Sequence, residues 1–310
     1  MFSPLKQPIV LAPQPEFRIW GGRSLCELLG RELPPGPHGE SWEIYGALSV
    51  NEGPWSGRTL DSLVKQFGSD LLGERAAPRE SSFPLLTKWL DCRDWLSVQV
   101  HPDDALAQAL TQNPQQRGKS EAWYVAKAEP EARLIHGLAP GVSARSVLCA
   151  EGSELLPFLG YQNPAEGTLL YTGAGTVHAL GPGYLIYEIQ QSSDLTYRLY
   201  DWDRDRPIHP EEARRCVLES CAPQAEITQH SLRCAYFDIN LVDSPDRLLV
   251  DHRSFTILAC VEGQWEAFGA WGAQRLNYGD SLLMPAGLGA VELRGQGRLL
   301  EIRLGKNSTT

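Results

Sequence analysis

The chain has 310 residues, room for about two domains of ordinary size, and 42% of them are apolar, which excludes wholesale disorder. Lys and Arg number 28 against 38 Asp and Glu, a formal net charge of -10 and the wrong sign for a nucleic-acid binder. An anionic small molecule remains an acceptable partner, because a few cations inside a cleft override a negative surface. The seven cysteines, Cys26, Cys92, Cys149, Cys216, Cys221, Cys234 and Cys260, include no Cys-x-x-Cys pair, so a zinc ribbon and a thioredoxin-like motif are excluded. Scattered thiols fit a reducing compartment. No signal-peptide pattern and no run of roughly 18 apolar residues is visible, so the expected location is the cytoplasm, away from membranes.

In chain order, the first helical pattern covers residues 59–72, where Thr59 offers a cap and Leu60, Leu63, Val64 and Phe67 recur at helical spacing. At 96–101 the period changes to two. Leu96, Val98 and Val100 take one face of a strand, and Ser97, Gln99 and His101 take the other. Residues 103–110 follow a proline and open with two acids, which suits a helix start. Glu121 begins the strand-like Glu-Ala-Trp-Tyr-Val just after a Gly118-Lys119-Ser120 turn. A short helix is expected at 143–148. His178 follows the glycine-rich run from Thr172, which lets backbone come close and sets an imidazole at its rim.

Residues 184–191 and 195–200 read as strands joined by a hairpin turn at Ser192-Ser193-Asp194. Pro210 with Glu211 and Glu212 opens a helix to 218. Beyond it, strands at 255–261, 263–268, 280–284 and 298–304 lie between Gly and Pro. The expected fold is mainly β: a barrel with helical insertions over 1–205, a helical connector over 206–224 and a smaller barrel over 225–310.

Imidazoles and a carboxylate arriving from separate strands make a donor set that Zn²⁺, Fe²⁺ and other divalent ions accept. The same alternation also describes a plain half-exposed strand, and spacing alone does not choose between them. Longer segments do. Ser97-Val-Gln-Val-His-Pro-Asp103 and Gly118-Lys-Ser-Glu-Ala-Trp-Tyr124 resemble two signature segments of type I mannose-6-phosphate isomerases. Gly175-Thr-Val-His-Ala179 and the stretch from Tyr187 to Asp201 resemble later ones, and Trp20-Gly-Gly22, Gly39-Glu-Ser-Trp-Glu43 and Phe83 to Asp91 resemble earlier ones. The segments run in order from about residue 18 to residue 215, and the length is similar to the short bacterial form.

The resemblance implies cupin jelly-roll barrels, two of them, with one divalent metal in the first. In the family this is usually zinc, and the matching ligands here are Gln99, His101, Glu121 and His178. It also implies interconversion of mannose 6-phosphate and fructose 6-phosphate through a cis-enediol. Lys119 resembles a family lysine near the substrate, Arg198 an arginine that contacts substrate oxygens, and Ser97 a phosphate-binding serine. Glu188 is expected either to pair with Arg198 across the hairpin or to shuttle a proton. Asp194 either shapes the turn or takes part in catalysis. The second barrel, with no histidine after His252, is expected to be degenerate and structural.

Trp20 and Trp42 are the aromatic residues expected near a sugar. His38, read as a solvated loop residue, and His136, for which the sequence places no partner, are expected to be structural, as are His209, His230 and His252. The alternatives are a non-catalytic cupin that binds a sugar for regulation, an isomerase of a different sugar, or a metal-dependent oxygenase. Four protein ligands leave the last little room for oxygen beside substrate, and Lys119 with Arg198 favours an enzyme over a binding module. The oligomeric state is left open.

Overall fold

A computed structural model of the chain describes residues 5–76, 80–219 and 227–306, so Cys221 and positions 220–224 of the expected connector lie outside the described residues. The molecule is mainly β, with antiparallel pairings throughout the strand ladders given below. Contacts divide it into two compact units, one from the described residues of Met1–Gln14, Trp42–Lys88 and Thr228–Thr310, the other from those of Pro15–Ser41 and Trp89–Ile227. Residues 42–88, expected within the first barrel, therefore group with the C-terminal strands. Local alternation reveals that a segment is a strand or helix, but not which distant strands it packs with.

The unit that carries the expected site contains nearly all of β1 (Gln14–Gly22), the first part of β2 (His38–Ile44), the last part of β3 (Leu85–Cys92), β4 (Val98–Val100), β5 (Glu121–Ala128), β6 (Leu134–Leu138), β7 (Leu159–Gln162), β8 (Leu169–Thr172), β9 (His178–Ala179), β10 (Tyr184–Gln191), β11 (Tyr197–Tyr200) and the start of β12 (Ile227–Thr228). One sheet has the order β1-β2-β3-β10-β5-β8-β12 and the other β11-β4-β9-β6-β7. Trp123, Val125, Leu170 and Ile186 from the first sheet meet Leu134 of the second in one buried cluster. Val98, Ile135, Leu159 and Ala179 of the second sheet form another. Burial on this scale contributes roughly 1.5–3 kcal/mol per large aliphatic side chain, and it fixes which strand face points inward.

The hairpin expected at 192–194 does not form. β10 pairs with β5 from Tyr184↔Ala128 to Gln190↔Glu121, whereas β11 pairs with β4 in the other sheet. The chain crosses between sheets here, and the Gln190 amide Nε2 holds the crossing by donating to Ser193 O at 2.6 Å and Gln191 O at 3.0 Å. A polar triplet between two apolar runs reads the same whether the chain doubles back or changes sheet.

The helices are α1 (Ser24–Glu27), α2 (Leu60–Phe67), α3 (Ser69–Leu72), α4 (Asp104–Thr111), α5 (Ala144–Leu148) and α6 (Pro210–Glu219). The helix expected over 59–72 is two helices, because Gly68 at φ 51° interrupts it. Thr59, Asp103 and Ser143 each cap a helix by accepting a backbone N–H, Asp103 from Leu106 at 2.9 Å.

In the other unit, β13 (Ser231–Arg233), β14 (Phe237–Asp243), β15 (Arg247–Val250), β16 (Thr256–Gly269), β17 (Gly272–Asn277), β18 (Ser281–Met284) and β19 (Gly289–Leu304) form a seven-stranded sheet over a core of Leu258, Trp265, Met284, Val291 and Leu299. The strands expected at 255–261 and 263–268 are one strand, β16, with its register to β19 shifting between Cys260 and Glu262. Gly263, at φ 77° and with Gln296 O only 1.9 Å from where a Cβ would sit, marks an irregular strand and not a turn. No helix among the described residues is long and apolar enough to cross a membrane.

Candidate metal centre

Register across the five-stranded sheet places a row of polar side chains on one face. Arg198 on β11 lies opposite Gln99 on β4, Gln99 opposite His178 on β9, and His178 opposite His136 on β6. Glu121, the first residue of β5, comes from the seven-stranded sheet, where it pairs with Gln190 and Thr172. His101 follows β4 directly.

His178 Nε2 lies 3.2 Å from Glu121 Oε1 and His101 Nε2 lies 3.6 Å from Glu121 Oε2, with all three side chains 1–2% exposed. Each imidazole is oriented from behind by a backbone carbonyl. His101 Nδ1 donates to Leu195 O at 2.7 Å, and His178 Nδ1 donates to Thr176 O at 2.9 Å. A carbonyl only accepts, so both rings carry their proton on Nδ1 and turn the Nε2 lone pair toward Glu121. Burial pushes the His178 pKa down to about 4, keeping that ring neutral near pH 7.

The donor atoms of His101, Glu121 and His178 all lie within 4.8 Å of one another, and this is the one His/Cys/Asp/Glu cluster of ligand geometry found among the described residues. Glu121 Oε2 is buried and faces Lys119 Nζ at 2.9 Å, which offsets its charge. Two imidazoles and a carboxylate converging in one buried cluster fit a divalent first-row ion. Gln99 joins them with its amide Nε2 3.2 Å from His178 Nε2, while its Oε1 accepts from Ser97 Oγ at 3.0 Å. As a ligand it would turn its oxygen inward by a half-turn about its last bond.

Lys119 is buried, and its Nζ donates to His101 Nε2 at 3.1 Å. Its turn is held from three sides. Gly118 N donates to Asp104 Oδ1 at 2.7 Å, Lys119 N to Pro102 O at 3.0 Å, and Ser120 N to Gln191 Oε1 at 2.9 Å. Gln191 Nε2 closes the network on Asp104 at 2.9 Å. Gly118 is required sterically, since a Cβ there would sit 2.4 Å from the Asp103 carbonyl carbon. Asp104 and Gln191 were invisible as site residues because each reads as an ordinary helix-start acid or strand-end amide.

Arg198 is half-buried, with Nε out of solvent and unpartnered and Nη1 donating to Pro207 O at 3.4 Å. Burial and the neighbouring Arg206 push its pKa down, the cost of desolvating a cation beside another cation. No ion pair joins it to Glu188, which sits on β10 opposite Trp123 in the other sheet. Glu188 shares the inward face with Glu121, and its charge raises the proton affinity of His178. Asp194 is exposed in the crossing between β10 and β11, one residue before the Leu195 carbonyl that orients His101.

Trp20 packs in the hydrophobic core beside Leu90 and Trp123, and Trp42 lies edge-on to Tyr45, 5.0 Å between centroids. His38 is buried at the start of β2, its Nε2 3.1 Å from Pro34 O, and not solvated. His209 Nδ1 accepts from Arg198 N at 3.1 Å. His136 has partners too, in Tyr171 O and Thr172 Oγ1, each 3.1 Å from its Nε2.

Residues 9–132 match the model of the type I phosphomannose isomerase catalytic domain. Over the whole chain, mannose-6-phosphate isomerase ManA of Bacillus subtilis is 32% identical, covering 93% of this chain and 96% of that protein. The chain belongs to the type I phosphomannose isomerase family. A mannose-6-phosphate isomerase of Streptococcus mutans is 37% identical over 67% of each chain. The crystal structure of a mannose 6-phosphate isomerase from Bacillus subtilis superposes with TM-score 0.81 at 28% identity, covering 95% of this chain and 99% of that one. The likeness to phosphomannose isomerases therefore includes both units, and the cupin-like β architecture is the family's.

Proposed function

We propose that the protein is a metal-dependent aldose-ketose isomerase that interconverts mannose 6-phosphate and fructose 6-phosphate. The observation that carries the reading is the buried His101-Glu121-His178 cluster with both Nε2 lone pairs turned inward, in a chain of the phosphomannose isomerase family. His101, Glu121 and His178 would hold a divalent ion, most simply Zn²⁺, with Gln99 completing the set. When bound, that ion supplies Lewis acidity toward the two sugar oxygens at C1 and C2.

The chain's own residues do the rest. The reaction takes a proton from C2 of the open-chain aldose, passes through a cis-enediol, and returns a proton to C1, with a compensating proton moved between the two oxygens. Lys119 and Glu188 are the proton-bearing groups on the inward face, and their burial excludes bulk water from the exchange. Arg198, whose Nε is buried and unpartnered, offers its guanidinium to the anionic end of the substrate. Ser97 keeps Gln99 in place through its hydroxyl.

A coupled assay of mannose 6-phosphate turnover, run on protein as purified, after chelation and after Zn²⁺ is restored, tests this. Turnover lost on chelation and regained with the ion supports the reading. A fully loaded protein without turnover would overturn it.

A further inference from the structure

His136 is 4% exposed and plays no part in the chemistry above, yet it stands in the ligand row, directly opposite His178 on the neighbouring strand. It projects from β6 in the five-stranded sheet and reaches across to β8 in the seven-stranded one. There its Nε2–H donates to Tyr171 O and Thr172 Oγ1, both at 3.1 Å. Thr172 is the register partner of Glu121. A single side chain thus links the neighbour of one ligand to the neighbour of another, across the two sheets that supply them. Trp123 fills the space between, edge-on to both imidazoles, 5.9 Å from His136 and 5.4 Å from His178 between ring centroids.

We infer that His136 is a positioning residue for the metal centre: its cross-sheet hydrogen bond fixes the separation of His178 and Glu121 and thereby sets metal affinity. The inference rests on the metal-site reading above. A carboxylate on one sheet and imidazoles on the other form a tight site only if the sheets keep their spacing. A buried hydrogen bond between the sheets is costly to break, so it resists any change in their local spacing.

Zn²⁺ affinity by chelator competition on the full chain tests it, comparing the wild type with His136→Phe, His136→Gln, Thr172→Val and His101→Ala. His136→Phe keeps the ring and loses the donor, and its affinity should fall about 10-fold or more, the range for losing a group that orients a ligand. His136→Gln, which restores an N–H donor, should recover most of that loss. Equal loss in both variants would overturn the inference by assigning the effect to packing, and wild-type affinity in His136→Phe would overturn it outright. Should His136→Phe not fold, His136→Leu takes its place with the same readings, and Thr172→Val, which keeps the Tyr171 carbonyl as acceptor, should lose less affinity than either; a larger loss in Thr172→Val would overturn the inference. His101→Ala separates the two levels, since wild-type affinity in that variant would refute the metal site itself.

Discussion

Glu121 is the one anionic donor among the three clustered ligands, and Lys119 is the cation that offsets it at 2.9 Å. Their removal has different consequences. Glu121→Gln should weaken metal binding by more than the roughly 10–100-fold that losing a supporting hydrogen bond costs. Lys119→Met should keep the ion and lower kcat by about 10²–10⁴-fold, the range for a positioned proton-transfer group. Arg198→Ala should also keep the ion while kcat/KM falls roughly 10–100-fold, the worth of a charged hydrogen bond. Elemental analysis beside steady-state kinetics distinguishes these outcomes, and an ion lost with Lys119 or Arg198 would contradict their assigned roles.

Acid acts on the same cluster. Burial holds His136 and His178 at pKa values of about 4, against 6.5 for a free imidazole. Between those values the unfolded chain binds protons that the folded one does not, so stability is full above about pH 6.5 and falls as the pH drops toward 4. Each ring accounts for on the order of 3 kcal/mol across that window. Denaturant melts of the chelated protein should show this slope, and His136→Gln should be less acid-sensitive than the wild type. An unchanged slope in that variant would remove His136 from the account.

At the scale of elements, the 118–120 turn connects α4, β5 and β10 through Asp104 and Gln191. Adding one methyl group at Gly118 forces the turn off the Asp103 carbonyl and carries Lys119 with it. Gly118→Ala should therefore bind metal nearly normally while kcat falls on the order of 10²-fold, as expected when a catalytic group moves by about an ångström. Normal kcat in Gly118→Ala would show that Lys119 does not need this turn. The three clustered residues were legible in the sequence through the segments that resemble the family's signatures; alternation at 97–101 and a carboxylate after a tight turn by themselves also describe a half-exposed strand. The supports were not. Leu195 O and Thr176 O orient the imidazoles with backbone atoms that carry no residue signature, and His136 acts through a strand pairing unknown before the fold. The hairpin misread at 192–194 has the same origin, since nothing local distinguishes a return from a crossing.

At the scale of the whole molecule, strand content and the extent of β10 were readable, while the grouping of segments was not. Residues 42–88 belong with 228–306 by contacts far apart in sequence. Phe83 packs on Phe255 at 4.7 Å, Phe255 N donates to Leu72 O at 3.1 Å, and Ile9 N donates to Leu283 O at 2.8 Å. A fragment ending at residue 224 leaves Leu71, Leu72 and Phe83 without these partners, so amide hydrogen exchange over residues 42–88 should be far faster in it than in the full chain. Full-chain protection of residues 42–88 in that fragment would contradict the grouping.

In the isomerase reading one cluster both holds the ion and enables isomerisation. The most direct measurement is bound-metal stoichiometry together with mannose 6-phosphate turnover in His178→Ala, beside wild type and Arg198→Ala. His178→Ala should lose both, and Arg198→Ala should keep the ion while kcat/KM falls roughly 10–100-fold. A His178→Ala protein that keeps its ion and its rate would contradict that reading.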